Sequence, residues 1–130
     1  MQKTKRFIII VFAIILTAGA VLAKKMNCDF DQEDYKALLR GEKHLSRAKL
    51  EEADMQGMDL RGRDFSHAEL EGANFENADL SRAIFKHADL EEANFKGAKI
   101  TGTIFKGAKL GFATWVDGRI CAEDSLGSCW

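Results

Sequence analysis

The chain has 130 residues, a length that suits one domain with short extensions. It carries 19 lysines and arginines against 20 aspartates and glutamates. Without its first 23 residues, which hold three cations and no acid, the balance is mildly acidic. We expect no direct contact with nucleic acid.

Residues 1–23 are interpreted as a secretory signal peptide. Three cations precede an apolar run over 7–16, and small residues follow at two cleavage candidates, 18–20 and 21–23. A membrane span needs about 20 apolar residues, and the mostly apolar segment 7–23 is marginal for that length. We therefore predict cleavage and a periplasmic or secreted protein; the alternative is an inner-membrane anchor formed by residues 7–23.

Residues 24–44 are predicted to form a polar leader and a short N-terminal capping helix. Asp31 suits a helix N-cap, acids follow it, and Gly41 suits the stop. Tyr35, Leu38 and Leu39 make the apolar face of this helix. The repeats that follow are predicted below to form a solenoid, whose open end would need such a cover, so we interpret the helix as a lid.

From residue 45 to 115 a large apolar side chain returns at every fifth position. An α-helix would spread these residues around its axis, and a strand would send them alternately to opposite faces. A chain that turns a corner every five residues can point all of them inward, as a solenoid does. The regular part of this predicted core stack comprises Leu70, Phe75, Leu80, Phe85, Leu90, Phe95, Ile100, Phe105 and Leu110.

Small residues complete the pattern, because alanine stands two positions before nearly every core residue. Ala73-Asn74-Phe75 and Ala78-Asp79-Leu80 are examples, repeated at 88–90 and 93–95. The run resembles the pentapeptide-repeat family, whose pattern is A-(D/N)-(L/F)-x-x. This resemblance implies an all-β fold, the right-handed quadrilateral β-helix with four pentapeptides to a coil.

In a four-sided coil, residues twenty apart stack, and the sequence obeys this rule by residue type. Leucine dominates two opposite faces and phenylalanine the other two. The four predicted columns are Leu50, Leu70, Leu90 and Leu110; Leu60, Leu80 and Ile100; Phe65, Phe85 and Phe105; and Met55, Phe75, Phe95 and Trp115.

The first coil departs from the pattern, since Met58 and Arg63 stand where alanine is expected. A guanidinium pointing into a core is costly unless it is paired. We expect Arg63 either to lie at the rim under the lid, meeting an acid such as Glu42, or to distort the coil.

Two surface features stand out along the repeats. Twelve acids and four cations occupy residues 51–95, whereas four lysines and no acid occupy 96–115. This surface either keeps a monomer soluble or lets the two ends attract each other or a charged partner. Ile84 and Ile104, twenty apart, stand at a position that the family resemblance implies points outward. They are either tolerated surface residues or a modest apolar patch for a partner or a homodimer.

Residues 116–130 leave the repeat and are predicted to form a C-terminal cap. Cys121 and Cys129 enclose a short loop and can bridge in an oxidising compartment. The tail resembles the W-x-D-G-x-x-C…S-x-G-x-C ending of exported pentapeptide-repeat proteins. Cys28 remains, and both a free thiol and a pairing stay open for it.

Chemistry-bearing residues form no arrangement that we interpret as an active site. His67 and His87 stack at one repeat position, with Asp64 or Asp89 as a distant third ligand candidate, but a metal site needs three or four ligands. We predict no catalytic, cofactor-binding or metal-binding residues, no small-molecule substrate, and no enzyme.

The predicted function is a non-enzymatic exported solenoid, a structural or protein-interaction module of the cell envelope with an unknown protein partner. Contact with the membrane is expected only through an uncleaved signal segment. The alternative follows from the family resemblance: an acidic DNA mimic that binds DNA gyrase, of the quinolone-resistance type. The signal peptide and the basic last coil oppose that alternative.

Overall fold

The computed structural model describes residues 31–130, in which one α-helix precedes a β-helix. The signal peptide, the leader up to residue 30 and Cys28 lie outside the described residues. Helix α1 spans Gln32–Leu39. Asp31 caps it, its carboxylate accepting a hydrogen bond from the Glu33 amide (2.8 Å), and Gly41 ends the segment with a φ of 78°.

After the helix, the backbone turns a corner every five residues, fourteen times in succession. Each corner has the hydrogen bond of a β-turn. In the first corner Ala48 N donates to Leu45 O (3.1 Å), and in the last Ala113 N donates to Leu110 O (3.1 Å). At every corner the third turn residue has a positive φ, as a type II turn requires. Glycine fills six of these positions, and the other eight have side chains. The period of five in the sequence is therefore the period of this turn.

Successive coils pair through parallel bridges between residues twenty apart, without strands longer than one bridged residue in the described repeats. On one side of the coil, Leu70 N donates to Asp89 O (2.9 Å) and Asp89 N donates back to Ala68 O (2.9 Å). Four columns of such bridges run along the axis. The predicted right-handed quadrilateral β-helix is confirmed.

Apolar side chains pack together in the interior of the coils. The phenylalanines form two columns of nearly parallel rings: Phe65 and Phe85 have centroids 5.1 Å apart, as do Phe75 and Phe95. Rings of facing columns meet edge to face, with Phe75 and Phe85 at 5.6 Å. Of the predicted core stack, all members are buried except Ile100, which is only partly buried because no further coil covers its face.

The N-terminal end of the coil is covered by α1, although not by all three residues of its predicted apolar face. Leu38 is fully buried and Tyr35 is partly buried against the core. The expectation for Leu39 was wrong, because this side chain is 47% exposed. The helix is fixed to the first coil on its other side, where Lys49 N donates to the Asp34 carboxylate (2.8 Å).

Arg63 lies at the rim under the lid, but its expected partner was wrong. Its Nη1 donates to the carbonyl oxygen of Leu38 (2.7 Å) and its Nη2 to that of Asp59 (3.3 Å). Glu42 instead pairs with Arg40 (3.0 Å). The guanidinium thus satisfies a carbonyl at the C-terminal end of α1, where the helix dipole favours a cation.

The C-terminal end is closed by the tail, which turns back and pairs antiparallel with the last coil. Thr114 bridges Ile120, and Lys109 bridges Leu126. Cys121, which is buried, is joined to Cys129 by a disulfide. The tail passes so close to Gly111 that an added Cβ would lie 2.5 Å from the Glu123 carbonyl oxygen. Only glycine fits there.

Candidate functional site

Because the interior is filled, the polar side chains of the repeats lie on four outer faces. We name each face, with the corner that follows it, after its most distinctive residue type. The faces are centred on the following bridge columns: the isoleucine face on His44, Asp64, Ile84 and Ile104; the glutamate face on Lys49, Glu69, Asp89 and Lys109; the asparagine face on Asp54, Asn74, Asn94 and Thr114; the arginine face on Asp59, Asp79 and Lys99.

The glutamate face concentrates negative charge. Its column and corners hold seven acids and two lysines, a net charge of −5, in a chain whose formal total is −1. One of the lysines is engaged, because Lys109 Nζ lies 2.7 Å from the Asp89 carboxylate. The acids of this face are Glu51, Glu52, Glu69, Glu71, Asp89, Glu91 and Glu92. This arrangement favours a cationic partner.

Charge therefore differs between the faces around the coil axis as well as between the two ends of the coil. The isoleucine face, next to the glutamate face, has three cations and one acid. The sequence prediction described only an acidic early part and a basic last part of the solenoid, and it missed this charge difference between neighbouring faces. The signal was present in the twenty-residue register, which places Glu51, Glu71 and Glu91 in one column, but on the surface that register was applied only to the histidine and isoleucine pairs and not to the charged residues.

The isoleucine face contains both the predicted patch and the histidine pair. Ile84 is partly buried, whereas Ile104 is 40% exposed. The rings of His67 and His87 stack with centroids 5.2 Å apart, as the register predicted. Within residues 31–130 there is no group of three or more histidine, cysteine, aspartate or glutamate side chains that could hold a metal.

The arginine face carries a closely paired acid and base. Arg61 Nε and Nη2 donate to the two carboxylate oxygens of Asp59 (2.8 and 2.7 Å), and the Arg61 amide donates as well (3.2 Å). Hydrogen bonds from the Arg61 side chain and then its backbone lower the pKa of Asp59 from 3.8 to about 2. Ser81 similarly lowers the pKa of Asp79 through its hydroxyl and amide.

We expect the Asp59 carboxyl to titrate near pH 2 in the folded protein. Because its folded pKa lies below the ordinary value of 3.8, its contribution to stability is present above pH ~4 and is lost as pH falls towards about 2. NMR titration of the side-chain carboxyl carbon measures it. In Arg61→Gln the pKa should return towards 3.8, while Ser81→Ala, the matched control, should leave Asp59 unchanged. An Asp59 pKa near 3.8 in the unmodified protein would contradict the pairing.

Burial on the arginine face also affects Arg63. Desolvation lowers the pKa of this guanidinium, whereas the nearby Asp59 charge raises it. Arg63 stays protonated, since an arginine begins from a pKa above about 12. It is therefore a fixed positive charge between the lid and the first coil.

In the part of the chain that the structure describes, no helix is long and apolar enough to cross a membrane. Helix α1, with eight residues, is far shorter than a span requires.

Comparison with known proteins points to one family. The family model for pentapeptide repeats (8 copies) matches residues 44–82 and 73–111. No curated protein matches the chain at a significant level.

Several solved structures are similar. The pentapeptide repeat protein Rfr23 from the cyanobacterium Cyanothece 51142 shares 32% identity over 55% of this chain and 53% of its own, with a TM-score of 0.49. HetL, involved in heterocyst differentiation regulation in Nostoc sp. strain PCC 7120, shares 30% sequence identity over 59% of this chain and 51% of its own, with a TM-score of 0.33. A pentapeptide repeat protein of the Arabidopsis thaliana thylakoid lumen shares 21% sequence identity over 67% of this chain and 80% of its own, with a TM-score of 0.32. The aligned region spans about half the length of the first two proteins.

Proposed function

Because the chain belongs to the pentapeptide-repeat family, we propose that it is an exported, non-enzymatic solenoid that acts through protein contacts in the cell envelope. One observation carries this proposal: apolar side chains occupy the coil interior, while charge is distributed unequally among four outer faces that turn and ladder hydrogen bonds hold in place. A rigid surface with one strongly charged side suits recognition of an oppositely charged protein, because complementary potentials steer association and suppress wrong partners.

Two features support export. The first 23 residues have the cation-start, apolar-middle and small-end order of a signal peptide. In addition, Cys121 and Cys129 are paired within the C-terminal cap. Disulfides form and persist in oxidising compartments and are rare in the cytosol. A cap closed by a disulfide therefore fits a protein that works outside the cytoplasm.

The experiment on export measures the intact mass of the protein recovered from periplasm, medium and cytosol of its native cells. Samples are alkylated with and without reductant. We expect a chain that begins near Lys24 with Cys121 and Cys129 alkylated only after reduction. A full-length cytosolic chain with three reactive thiols would contradict export. A Cys121→Ser, Cys129→Ser variant serves as the control, because reductant should then expose no additional pair.

Protein contact is tested by placing a photo-crosslinking residue on the exterior. At Glu92, which is exposed on the glutamate face, we expect a discrete crosslinked product that weakens at high salt. Asn77 is the matched control, because it is exposed at the same repeat position on the asparagine face and has a similar positive φ. Equal crosslinking at both positions, or none on any of the four faces, would refute a specific protein contact.

DNA mimicry is the second candidate function, and the glutamate face is the observation that favours it. Its carboxylates recur at the coil spacing of ~4.8 Å. The purified chain should then inhibit DNA supercoiling by gyrase, and Glu71→Gln with Glu91→Gln should relieve that inhibition. Recovery of the protein only from the periplasm would remove this candidate.

A further inference from the structure

A groove of about 840 Å³ lies on the arginine face, beneath residues 41–43, which link α1 to the first coil. It extends from the first coil to Thr101 in the third. Most of its charged lining is basic, with four cations and two acids. These side chains are Lys43, Asp59, Arg61, Arg63, Asp79 and Arg82. The lining has a net charge of +2, although the chain as a whole is slightly negative.

Local partners already occupy the two acids of the groove. Asp59 is held by two nitrogens of the Arg61 guanidinium (2.7 and 2.8 Å). Asp79 accepts hydrogen bonds from the Ser81 hydroxyl (2.6 Å) and amide (3.1 Å). With Arg61 neutralising Asp59, the remaining charged groups of the lining are Asp79 and three cations.

Two of those cations are available to a ligand. Within residues 31–130, neither Lys43 nor Arg82 has a carboxylate within ion-pair distance. Arg82 stands between Gly62 and Gly102 in its column, so no side chain covers it on either side. A Cβ at Gly62 would meet nothing within 4 Å, and one at Gly102 would meet only the Arg82 Cγ at 3.6 Å.

Arg63 contributes a positioned guanidinium to the groove wall. Its hydrogen bonds to Leu38 O and Asp59 O use Nη1 and Nη2 and fix its plane. A guanidinium held in this way loses little conformational freedom when it binds a ligand through its remaining donors.

We propose that this groove binds a phosphate or sulfate group, gripped by Arg82 and Lys43 and oriented by Arg63. Guanidinium groups present paired donors that match tetrahedral oxyanions, and lysine adds a mobile point charge. The inference goes beyond the proposed function, because neither export nor a protein partner requires an anion site. The anion could be free in solution or belong to a phospholipid headgroup, and the same three side chains would recognise both.

The test titrates sodium phosphate into the full exported protein, with sodium chloride at matched ionic strength as the reference, and follows the Arg82 side-chain signals by NMR. A hydrogen bond to a charged group is worth enough that Arg82→Gln should weaken binding at least about tenfold. Lys43→Gln should weaken it as well. Arg47→Gln is the matched control: Arg47 has a φ of 63° against 62° for Arg82 and stands at the same repeat position on the isoleucine face.

Asp79→Asn provides a gain-of-binding arm, since it removes an acid that competes with the anion but keeps an oxygen that can accept from Ser81. Phosphate binding should become several-fold tighter. Vesicles containing phosphatidylglycerol, compared with phosphatidylcholine vesicles, test the headgroup source. Vesicle binding that depends on Arg82 and is competed by free phosphate would identify a headgroup. Phosphate binding without vesicle binding would identify a soluble anion.

Three results would overturn the proposal. The first is that phosphate does no more than chloride at the same ionic strength. In the second, Arg47→Gln weakens binding as much as Arg82→Gln, which would mean diffuse attraction rather than a site. In the third, Arg82→Gln and Lys43→Gln both bind phosphate as tightly as the unmodified protein does.

Discussion

Phe85→Ala should remove about 3–5 kcal/mol from the free energy of unfolding, the range measured for large buried aromatics truncated to alanine. Phe85 is fully buried at the centre of the aromatic core. Its ring stacks between Phe65 (5.1 Å) and Phe105 (5.4 Å), and it meets Phe75 and Phe95 edge to face at 5.6 and 6.4 Å. Since small domains are stable by only about 5–15 kcal/mol, this single change should unfold much of the population in mild urea.

Phe112→Ala is the matched control, because it makes the same chemical change on the surface. Phe112 is 52% exposed and has a φ of 57° at a corner of the glutamate face. Its removal should shift stability by no more than about 0.5 kcal/mol. Urea unfolding followed by circular dichroism compares the two variants. If Phe85→Ala cost less than about 1 kcal/mol, the two aromatic columns would not be the main support of the coil.

Reducing the Cys121–Cys129 disulfide should open the C-terminal cap and lower stability by up to about 3 kcal/mol, the expected limit for so short a loop. The loss should be local. The cap pairs with the last coil through Gly127 N to Ala108 O (2.8 Å) and Leu110 N to Ser125 O (2.9 Å). In a solenoid each coil is stabilised mainly by its neighbours, so an open cap exposes the last coil first.

Hydrogen exchange with and without reductant measures this effect. Amides at 108–127 should exchange faster after reduction, while those at 70–80 in the middle coils should change little. A Cys129→Ser variant is the control, because reductant should have no further effect on it. Unchanged exchange at 108–127 would contradict a supporting role for the bridge.

The two ends of the coil are closed by different means, and both follow from the geometry of its edges. At the N-terminal end, a helix supplies the buried Leu38 and receives Arg63 at its last turn. At the C-terminal end, the tail adds antiparallel backbone pairs to the exposed edge. Both devices block edge-to-edge association of unpaired strands, which an uncovered β-helix would invite.

The repeat by itself determined the fold, the inward residues and the stacking of equal residue types. A side chain that returns every fifth position can be buried only if the backbone turns at the same interval, so the pattern predicts the corners directly. Stacking of His67 on His87 followed from the same register. Where the sequence is periodic, the same five-residue turn therefore sets both the local corners and the stacking between coils.

The tertiary structure alone decided what happens where the repeat stops. Arg63 donates to the carbonyl of Leu38 rather than pairing with Glu42, and Leu39 stays exposed. Both outcomes depend on how α1 docks on the first coil, and sequence spacing does not specify that orientation. The tail pairs antiparallel through contacts between segments with no repeat in common. The groove under residues 41–43 likewise arises where the lid meets the first coil, and no single segment contains it.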